Sequence, residues 1–533
     1  MNRVRSLDWR FLLPVPPSGR FQRLALIGAD TTTVQAAIAG GLAAEVVDAL
    51  DGEASADAVV CLRSVPMSIE TAVATLAPGG LLYLEVDRGP GARSDATATL
   101  RRLARLGLYP IGRYWAHPQF DEPGVYLPLD VPGAVEWYFR TLFVITTPRA
   151  RFLATPTRLA ALVCGNRLTS LTPRICMILS TEAPAAAPGV LSASGLPERM
   201  RSAEARPLVL MGGGWWSRVV VFPFLPGSRE PVGAVKLWRT PGEIDRVERE
   251  QRGQGRIRAI LPPALRDAVP EPLGIINWAG HVGATEQSAQ GQWLMARRHR
   301  YRRLSVHLRE LELVSSWLTA FNTYGEIARR PWSDGDVATW FDRPLAEYRD
   351  VFGITEPEQR LAGAVLHRAN ELVGTTVPFV WCHNDFSELN VYCGAKSISV
   401  VDWEGLGPGL PATDLLYYLP DWLFRARRIA NREETFAGFS TLFLEREAGD
   451  RLVNAARASL GVYTAALELD DRLPPLLLAG EWVRRAVGRH HRMFPQGVSP
   501  DRTRASNRFA RYVSILADQT DVLFERPYRW GLP

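Results

Sequence analysis

Two acids and one amide in the C-terminal half have types and spacings that suit phosphate chemistry. The run 381–390 reads Trp-Cys-His-Asn-Asp-Phe-Ser-Glu-Leu-Asn, and Asp402 follows after an apolar run. Transfer of a phosphoryl group needs an acceptor hydroxyl held in line and a divalent cation that neutralises charge on the phosphate oxygens. In this spacing Asp385 can face the hydroxyl while Asn390 turns an amide oxygen toward a metal ion. Asp402 would be the second oxygen ligand, of the kind that suits Mg²⁺.

Short strands must position these groups. Residues 397–401 alternate and then turn apolar, which predicts a strand that ends at Asp402, and residues 391–393 predict its hairpin partner across the turn 394–396. The end of a strand is a rigid mount for a metal ligand. The alternative interpretation is that His383 is an ordinary core histidine and that the acids only cap loops.

Three segments of this region, 383–390, 401–404 and 411–416, carry a family resemblance. In this order they resemble the aminoglycoside phosphotransferase and choline kinase family, whose members are relatives of the protein kinases. The resemblance implies a bilobal kinase-like fold, ATP as the phosphoryl donor and Mg²⁺ as the metal. Asn384 stands where protein kinases usually have arginine, a variation that this family tolerates.

The resemblance also implies a role for each site residue. Asp385 would be the catalytic base, Asn390 and Asp402 would hold the metal, and Asp414 would brace the catalytic loop. His383, which opens the motif, is grouped with Asp385 as a candidate catalytic residue.

An N-terminal lobe is predicted upstream of these segments. Residues 208–211 and 218–222 predict two strands, and Gly212, Gly213 and Gly214 lie in the loop between them. Glycines there would let backbone N–H groups approach phosphate oxygens. A glycine triplet is also common in simple turns, so these three are candidates for nucleotide binding and nothing firmer.

Lys236 ends a third strand among apolar neighbours. A buried lysine is costly unless it is paired with anions, which suits contact with the α- and β-phosphates. The charged helix that follows offers Glu248 or Glu250 as its partner, and Glu250 is preferred; the alternative is a surface helix whose acids offset its arginines. Glu286 lies in the candidate hinge 285–288, where an adenine base would sit, and is a further nucleotide-binding candidate.

The N-terminal part alternates strand-like and helix-like segments. Residues 24–28, 45–48, 58–62 and 81–86 predict strands, and 33–44 predict a helix. This alternation is typical of a Rossmann-like parallel sheet with helices on its faces.

Residues 57–62 and 77–86 resemble the later motifs of class I methyltransferases that use S-adenosylmethionine. The resemblance fails at the turn 28–33, where three threonines occupy a place that glycine keeps open for the cofactor. The favoured interpretation is a methyltransferase-like domain without catalysis.

Composition and length set the domain organisation. The chain has 533 residues, of which 47% are hydrophobic and 22% charged, which is typical of globular proteins with two or three domains. Residues 181–206 are rich in Ala, Pro, Ser and Gly and predict a linker. The predicted fold class is α/β plus α+β: a Rossmann-like domain over 1–180 and a bilobal kinase-like domain over 207–533, with lobes at 207–288 and 289–533.

The composition also excludes several classes. No apolar run approaches the roughly 20 residues that span a bilayer, and prolines interrupt the N-terminal apolar segment, so neither a transmembrane segment nor a signal peptide is expected. Five scattered cysteines without a Cys-x-x-Cys pair suggest reduced thiols in the cytoplasm. No nucleic-acid-binding module is recognisable, and the oligomeric state is left open.

The sequence therefore predicts an ATP- and Mg²⁺-dependent phosphotransferase acting on a hydroxyl of a small molecule, such as a sugar or an amino alcohol. Two alternatives stay open: a non-catalytic kinase-like scaffold or regulator, and a bifunctional methyltransferase-kinase. The arginines of 425–428 and 484–492 argue against a cationic acceptor and toward a neutral or acidic one.

Overall fold

The structure, a computed structural model, describes most of the chain. The described residues are 7–16, 19–47, 55–62, 69–87, 96–144, 156–160, 163, 172–183, 188–212, 218–239, 242–297, 303–429, 431–445, 449–493 and 504–524. Gly213 and Gly214 lie outside them, so the predicted glycine loop is described only at Gly212.

The chain forms two compact units. Unit 1 consists of residues 1–255 and 270–288, and unit 2 of residues 256–269 and 289–533. This division differs from the predicted one, because the N-terminal part and the predicted first lobe fall into the same unit. The second division, after residue 288, coincides with the end of the predicted hinge.

Unit 1 is built on one mixed sheet of twelve strands in the order β11-β12-β10-β9-β8-β6-β5-β7-β4-β3-β1-β2. The strands are β1 Phe21–Ile27, β2 Ala43–Val47, β3 Ala56–Cys61, β4 Leu76–Asp87, β5 Tyr109–His117, β6 Val125–Pro128, β7 Arg174–Ser180, β8 Arg206–Met211, β9 Arg218–Phe224, β10 Ala234–Trp238, β11 Pro272–Trp278 and β12 His281–Glu286.

Helices connect the strands of unit 1. Those described are α1 Thr31–Ala39, α2 Ile69–Ala74, α3 Ala96–Arg105, α4 Pro132–Thr141 and α5 Ile244–Ile260, the last of which continues into unit 2. The Asp30 side chain accepts a hydrogen bond from the Thr33 N–H, which caps α1 directly after strand β1.

The parallel sheet predicted for the N-terminal part is present only in part. Strands β2, β1, β3 and β4 are parallel neighbours, as the strand and helix alternation predicts. Beyond them, β7 pairs antiparallel with both β4 and β5, and β6 pairs antiparallel with β5. The N-terminal part is therefore a mixed sheet, and a Rossmann-like domain is not confirmed.

One strand pair joins the two halves of the sheet. Strand β6 pairs antiparallel with β8, with Val125 opposite Leu210 and Tyr126 opposite Val209. The predicted N-terminal domain and the predicted first lobe consequently share one continuous set of backbone hydrogen bonds.

The part of the predicted linker that the structure describes, residues 181–183 and 188–206, packs into unit 1. It forms short 3₁₀ helices at Gly189–Ser192 and Glu198–Met200. Val190, Leu191 and Met200 are fully buried in the same hydrophobic cluster as the sheet strands. Because small residues dominate the composition of the segment, the burial of these three apolar side chains is not evident from the sequence.

Unit 2 is mainly helical. Its described helices are α6 Pro263–Arg266, α7 Leu304–Tyr324, α8 Asp334–Val337, α9 Arg343–Phe352, α10 Glu356–Glu371, α11 Thr413–Arg427, α12 Arg432–Phe443, α13 Arg451–Ala466, α14 Leu473–Met493, α15 Arg508–Asp518 and α16 Thr520–Phe524. Helix α7 packs one apolar face into the core, where Leu311, Val314 and Leu318 are buried.

Two small sheets complete unit 2. One contains β13 Gln292–Trp293, β16 Val391–Cys393 and β17 Ile398–Val400; the other contains β14 Glu326–Pro331, β15 Thr376–Cys382 and β18 Gly407–Gly409. In the part of the chain that the structure describes, no helix has the length and apolar character to cross a membrane.

Candidate active site

The candidate catalytic loop of unit 2 connects two of the short strands. It leaves β15 at Cys382 and enters β16 at Val391, and β16 pairs antiparallel with β17 in the register Val391 to Val400. Asp402 follows β17, as the spacing predicts. Hairpin pairing and strand ends thus fix both termini of the loop and the start of the Asp402 turn.

Asp414 holds the start of this loop through its carboxylate. Its Oδ2 accepts the His383 backbone N–H at 2.7 Å and its Oδ1 accepts that of Asn384 at 2.9 Å. Asp414 is 1% exposed and lies in the first turn of α11. Burial raises the pKa of Asp414 to about 6, and the two N–H donors oppose the rise because they favour the ionised form.

His383 ties the loop to the Asp402 turn. Its Nε2 lies 3.0 Å from the Val401 carbonyl oxygen, and its Nδ1 accepts the Asp385 backbone N–H at 3.3 Å. This pattern corresponds to the tautomer with the proton on Nε2. The buried ring also packs on Trp403, at 4.6 Å between centroids. Both ring nitrogens of His383, the second candidate catalytic residue, therefore contact the backbone of the site.

Two residues of the site adopt left-handed backbone conformations. Asn384 has φ +63° and Asp402 has φ +70°. Such conformations are uncommon outside glycine and cost free energy, although Asn and Asp tolerate them best. Hydrogen bonds around Asn384 hold it there: its Nδ2 donates to the Gly405 carbonyl, and its Oδ1 accepts from Arg484.

Asp385 and Asn390 face each other across the loop. The Asn390 Nδ2 donates to the Asp385 carbonyl oxygen at 2.9 Å and to its carboxylate at 3.2 Å. An amide presents its oxygen on the side opposite these donors, so the Asn390 Oδ1 points away from Asp385. The Asp385 side chain is 48% exposed, which leaves its carboxylate open to a reacting hydroxyl.

The neighbours of Asp385 tune its acidity. Burial of the surrounding loop raises the pKa of Asp385 to about 6, and the nearby Asp402 carboxylate adds to the rise. Arg485, with its Nη1 3.8 Å from the Asp385 Oδ1, opposes it. A carboxylate with this pKa is ionised at neutral pH and is a better proton acceptor than an ordinary aspartate.

The residues that could hold a metal form an oxygen-donor set. Among the described residues, no group of three or more His, Cys, Asp or Glu is arranged for metal binding. Asn390 and Asp402 offer one amide and one carboxylate oxygen. Mg²⁺ in nucleotide sites commonly uses one or two protein oxygens and takes its other ligands from phosphates and water, so this pair fits a metal that arrives with a nucleotide.

Unit 1 contains the other predicted group, centred on Lys236. The Lys236 Nζ lies 2.8 Å from Glu250 Oε1 and 2.7 Å from Glu286 Oε1, and all three side chains are buried. Glu250 is the acid that the sequence analysis preferred over Glu248. Glu286 lies in the segment predicted as the hinge that binds adenine. In the structure its carboxylate pairs with Lys236, and burial raises the pKa of Glu286.

Two partners of this group were not anticipated. The Arg218 guanidinium lies 2.7 Å from Glu250 Oε2, and the Gln254 amide donates to the Glu286 carboxylate. Gln254 follows Glu250 by four residues on α5, so the two side chains lie on the same face of the helix. This spacing is the sequence feature that could have predicted Gln254 as a member of the group. Arg218 begins β9 on the strand next to Lys236, a relation that only the sheet register reveals.

A second unanticipated residue is Arg485 of helix α14. Its Nε donates to Glu481 Oε1 at 2.6 Å, and its guanidinium lies 3.6 Å above the Tyr417 ring. The arginine-rich run 484–492 was visible in the sequence, but its proximity to Asp385, one hundred residues earlier, follows from the packing of helices within unit 2.

A known protein family matches the middle part of the chain. Residues 235–450 match the phosphotransferase enzyme family. This confirms the resemblance for the C-terminal region, and the matched residues include Lys236, Asp385, Asn390, Asp402 and Asp414. A search of curated proteins gives no match.

Several solved structures are similar at low identity. A choline/ethanolamine kinase family protein from Mesorhizobium loti is 16% identical, with 62% of this chain and 95% of that chain covered and a TM-score of 0.34. The aminoglycoside phosphotransferase APH(3'')-Id from Streptomyces rimosus, in complex with ADP and streptomycin, is 16% identical, with 51% and 94% covered and a TM-score of 0.31. Amicoumacin kinase, in complex with AMP-PNP and Ca²⁺, is 14% identical, with 62% and 96% covered and a TM-score of 0.34.

The pKa of Asp385 predicts a pH dependence. With Asp385 as the expected proton acceptor, which must be ionised, ATP turnover per enzyme should fall about tenfold per pH unit below roughly pH 6. In Arg485→Gln the fall in activity at acidic pH should begin at a higher pH. The reason is that Arg485 favours the ionised form of Asp385 and lowers its pKa. The measurement is kcat/KM between pH 5 and 8, with the exposed Arg360→Gln as control. A limb that stays in place in Arg485→Gln contradicts the assignment.

Proposed function

We propose that the protein is an ATP- and Mg²⁺-dependent phosphotransferase that phosphorylates a hydroxyl group of a small molecule. The observation that carries the proposal is the catalytic loop of unit 2. There a half-exposed Asp385 carboxylate faces Asn390 at 3.2 Å, and Asp414 fixes the backbone that precedes both. The match of residues 235–450 to the phosphotransferase enzyme family supports the same reaction class.

Asp385 orients the acceptor and takes its proton. The acceptor oxygen forms a bond to the γ-phosphorus of ATP while the bond from that phosphorus to the β,γ-bridging oxygen breaks, and ADP leaves with the electron pair. The hydroxyl proton passes to the Asp385 carboxylate. A pKa of about 6 keeps this group ionised at neutral pH and able to accept the proton.

Asn390 and Asp402 supply the protein oxygens for the metal. Mg²⁺, when bound, neutralises the charge that develops on the phosphate oxygens. In this proposal His383 and Asp414 position these ligands through their contacts with the backbone.

Lys236 is proposed as the phosphate-binding cation. It stands on strand β10, the third strand from one edge of the sheet, and Glu250 and Glu286 hold its ammonium in place. A lysine that is buried and paired keeps its charge and its direction, which suits contact with the α- and β-phosphates. Gly212 and its two following glycines stay candidates for backbone contacts with phosphate.

Replacement of Asp385 tests this function. Asp385→Ala should lower acceptor-stimulated ADP release about 10²- to 10⁴-fold, since general base catalysis contributes on that order. Thermal stabilisation by ATP and Mg²⁺ should persist in this variant. Asp402→Asn should instead lose the Mg²⁺-dependent part of the stabilisation.

The control is Asp471→Asn, which replaces an exposed acid of unit 2. It should match the wild type in both assays. If Asp385→Ala turns over ATP as fast as the wild type, Asp385 is not the base. If the wild type shows no stabilisation by nucleotide with or without Mg²⁺, the protein is a kinase-like scaffold and the proposal fails.

For the N-terminal part of unit 1 we propose a role without methyl transfer. The turn after β1, where a methyltransferase would bind its cofactor, carries the Asp30 cap and the fully buried Thr33. These side chains fill the place that open glycine backbone would leave for a ligand. The family match begins only at residue 235.

Calorimetric titration of the full chain with S-adenosylmethionine tests this interpretation. The expected result is no heat of binding beyond dilution. Saturable binding with a micromolar Kd would contradict it and would favour the bifunctional alternative.

A further inference from the structure

Helix α14 carries a row of arginines that begins beside the catalytic loop. Arg485, Arg489 and Arg492 follow one another at intervals of four and three residues, and therefore lie on one face of the helix. Arg485 stands next to the Asp385 carboxylate, with 3.8 Å between Nη1 and Oδ1. The row thus begins beside the proposed base and continues along one face of the helix.

Arg485 is already committed to positioning contacts. It is 5% exposed, pairs with Glu481 and stacks on Tyr417. Within the described residues its Nη2 is buried without a hydrogen-bond acceptor. A buried donor of this kind costs free energy unless a ligand or water supplies an acceptor.

Among the described residues, the two later arginines of the row are not held in ion pairs, and Arg492 favours the ionised form of Asp385. In the part of the chain that the structure describes, neither Arg489 nor Arg492 forms an ion pair, whereas Arg484 pairs with Glu481 and Arg508 with Asp421. Burial and the neighbouring Arg508 lower the pKa of the half-buried Arg489, as expected for a cation that faces other cations. An anion placed here would relieve this repulsion.

The spacing of the arginines along the helix indicates the length of the acceptor molecule that bears this anionic group. Arg489 and Arg492 follow Arg485 by four and seven residues, which at 1.5 Å per residue is roughly 6 and 10 Å along the helix. A compound of three to six carbons, with a hydroxyl at Asp385, reaches this position with a charged group at its other end. A cationic amine in the same place would meet arginines.

We propose that the phosphoryl acceptor is an anionic hydroxyl compound, either a phosphate ester or a hydroxy acid, whose charged group is bound by Arg489 and Arg492. This inference rests on the proposed phosphotransferase function and specifies its substrate class. Arginine is well suited to this role because its planar guanidinium binds phosphate and carboxylate through two hydrogen bonds. Arg485 completes the site beside the base.

A matched acceptor panel tests the substrate class. Glucose, glucosamine, gluconate and glucose 6-phosphate share a carbon chain and differ in charge; glycerol, 3-amino-1,2-propanediol, glycerate and glycerol 3-phosphate form a shorter set. ADP release should be stimulated by anionic members at least about tenfold more, in kcat/KM, than by their neutral and cationic counterparts. Comparison of gluconate with glucose 6-phosphate, and of glycerate with glycerol 3-phosphate, shows whether the protein recognises a carboxylate or a phosphate ester.

The arginine variants test the binding site. Arg489→Gln and Arg492→Gln should each raise KM for the anionic acceptor about tenfold or more, with KM for ATP unchanged, because each loses a charge-assisted hydrogen bond. Arg489→Lys should recover part of the loss. Arg360→Gln, an exposed arginine of α10, should leave both constants unchanged.

The thermal stability of the protein in the presence of anions tests binding independently of catalytic turnover. Inorganic phosphate, gluconate and glycerol 3-phosphate should raise the Tm of the wild type, and the double variant Arg489→Gln/Arg492→Gln should lose that part of the shift. If the double variant keeps the full shift, or if neutral or amine-bearing acceptors are preferred, the anionic acceptor is refuted while the phosphotransferase function stands. Absence of nucleotide-dependent stabilisation overturns the function itself.

Discussion

The candidate site depends on a single buried carboxylate. Asp414 accepts the backbone N–H groups of His383 and Asn384, two consecutive donors at the point where the chain leaves β15. Hydrogen bonds to a charged group contribute about 1.5–3 kcal/mol each, and a buried donor left without an acceptor costs a similar amount. This interaction fixes the left-handed turn at Asn384, and that turn sets the direction in which Asp385 and Asn390 follow.

The remaining polar contacts extend this constraint to the Asp402 turn. His383 links the loop to the Val401 carbonyl, and the Asn390 carbonyl accepts the Val401 N–H at 2.9 Å. The proposed base and the two proposed metal ligands therefore belong to one hydrogen-bonded assembly within unit 2. In unit 1, the strand pair β6–β8 has a comparable role, because it continues the N-terminal sheet into the strands around Lys236.

The sequence predicted the local features of both units. The spacing of His383, Asp385 and Asn390, the β16–β17 hairpin and the strand that carries Lys236 are each determined by residues close together in the chain. Glu250 and Glu248 were candidates because the resemblance to kinases implies a helix glutamate that pairs with the strand lysine, and Glu250 forms that pair. Features that depend on distant partners were not accessible: the burial of Val190 and Leu191 in a segment rich in small residues is visible only once the sheet is present.

Two features of the structure that the sequence did not predict both depend on contacts between residues far apart in the chain. The β6–β8 pairing joins residues more than eighty positions apart, so strand patterns alone could not reveal that the N-terminal part and the first predicted lobe share one sheet. The contact of Arg485 with Asp385 likewise depends on how α14 packs in unit 2. The place of His383 in the motif made it a candidate, whereas its two contacts with the backbone of Val401 and Asp385 could not be predicted from the motif.

Binding of Mn²⁺ with ADP, followed by electron paramagnetic resonance in the wild type and in Asp414→Ala, tests whether the buried carboxylate organises the site. With the loop intact, Mn²⁺ and nucleotide should bind together to the wild type; Asp414→Ala should lose this binding, and its amides 383–390 should exchange with solvent faster, although it changes no proposed ligand. If Asp414→Ala binds Mn²⁺ and ADP with unchanged affinity and unchanged exchange in the loop, the carboxylate does not hold the site together.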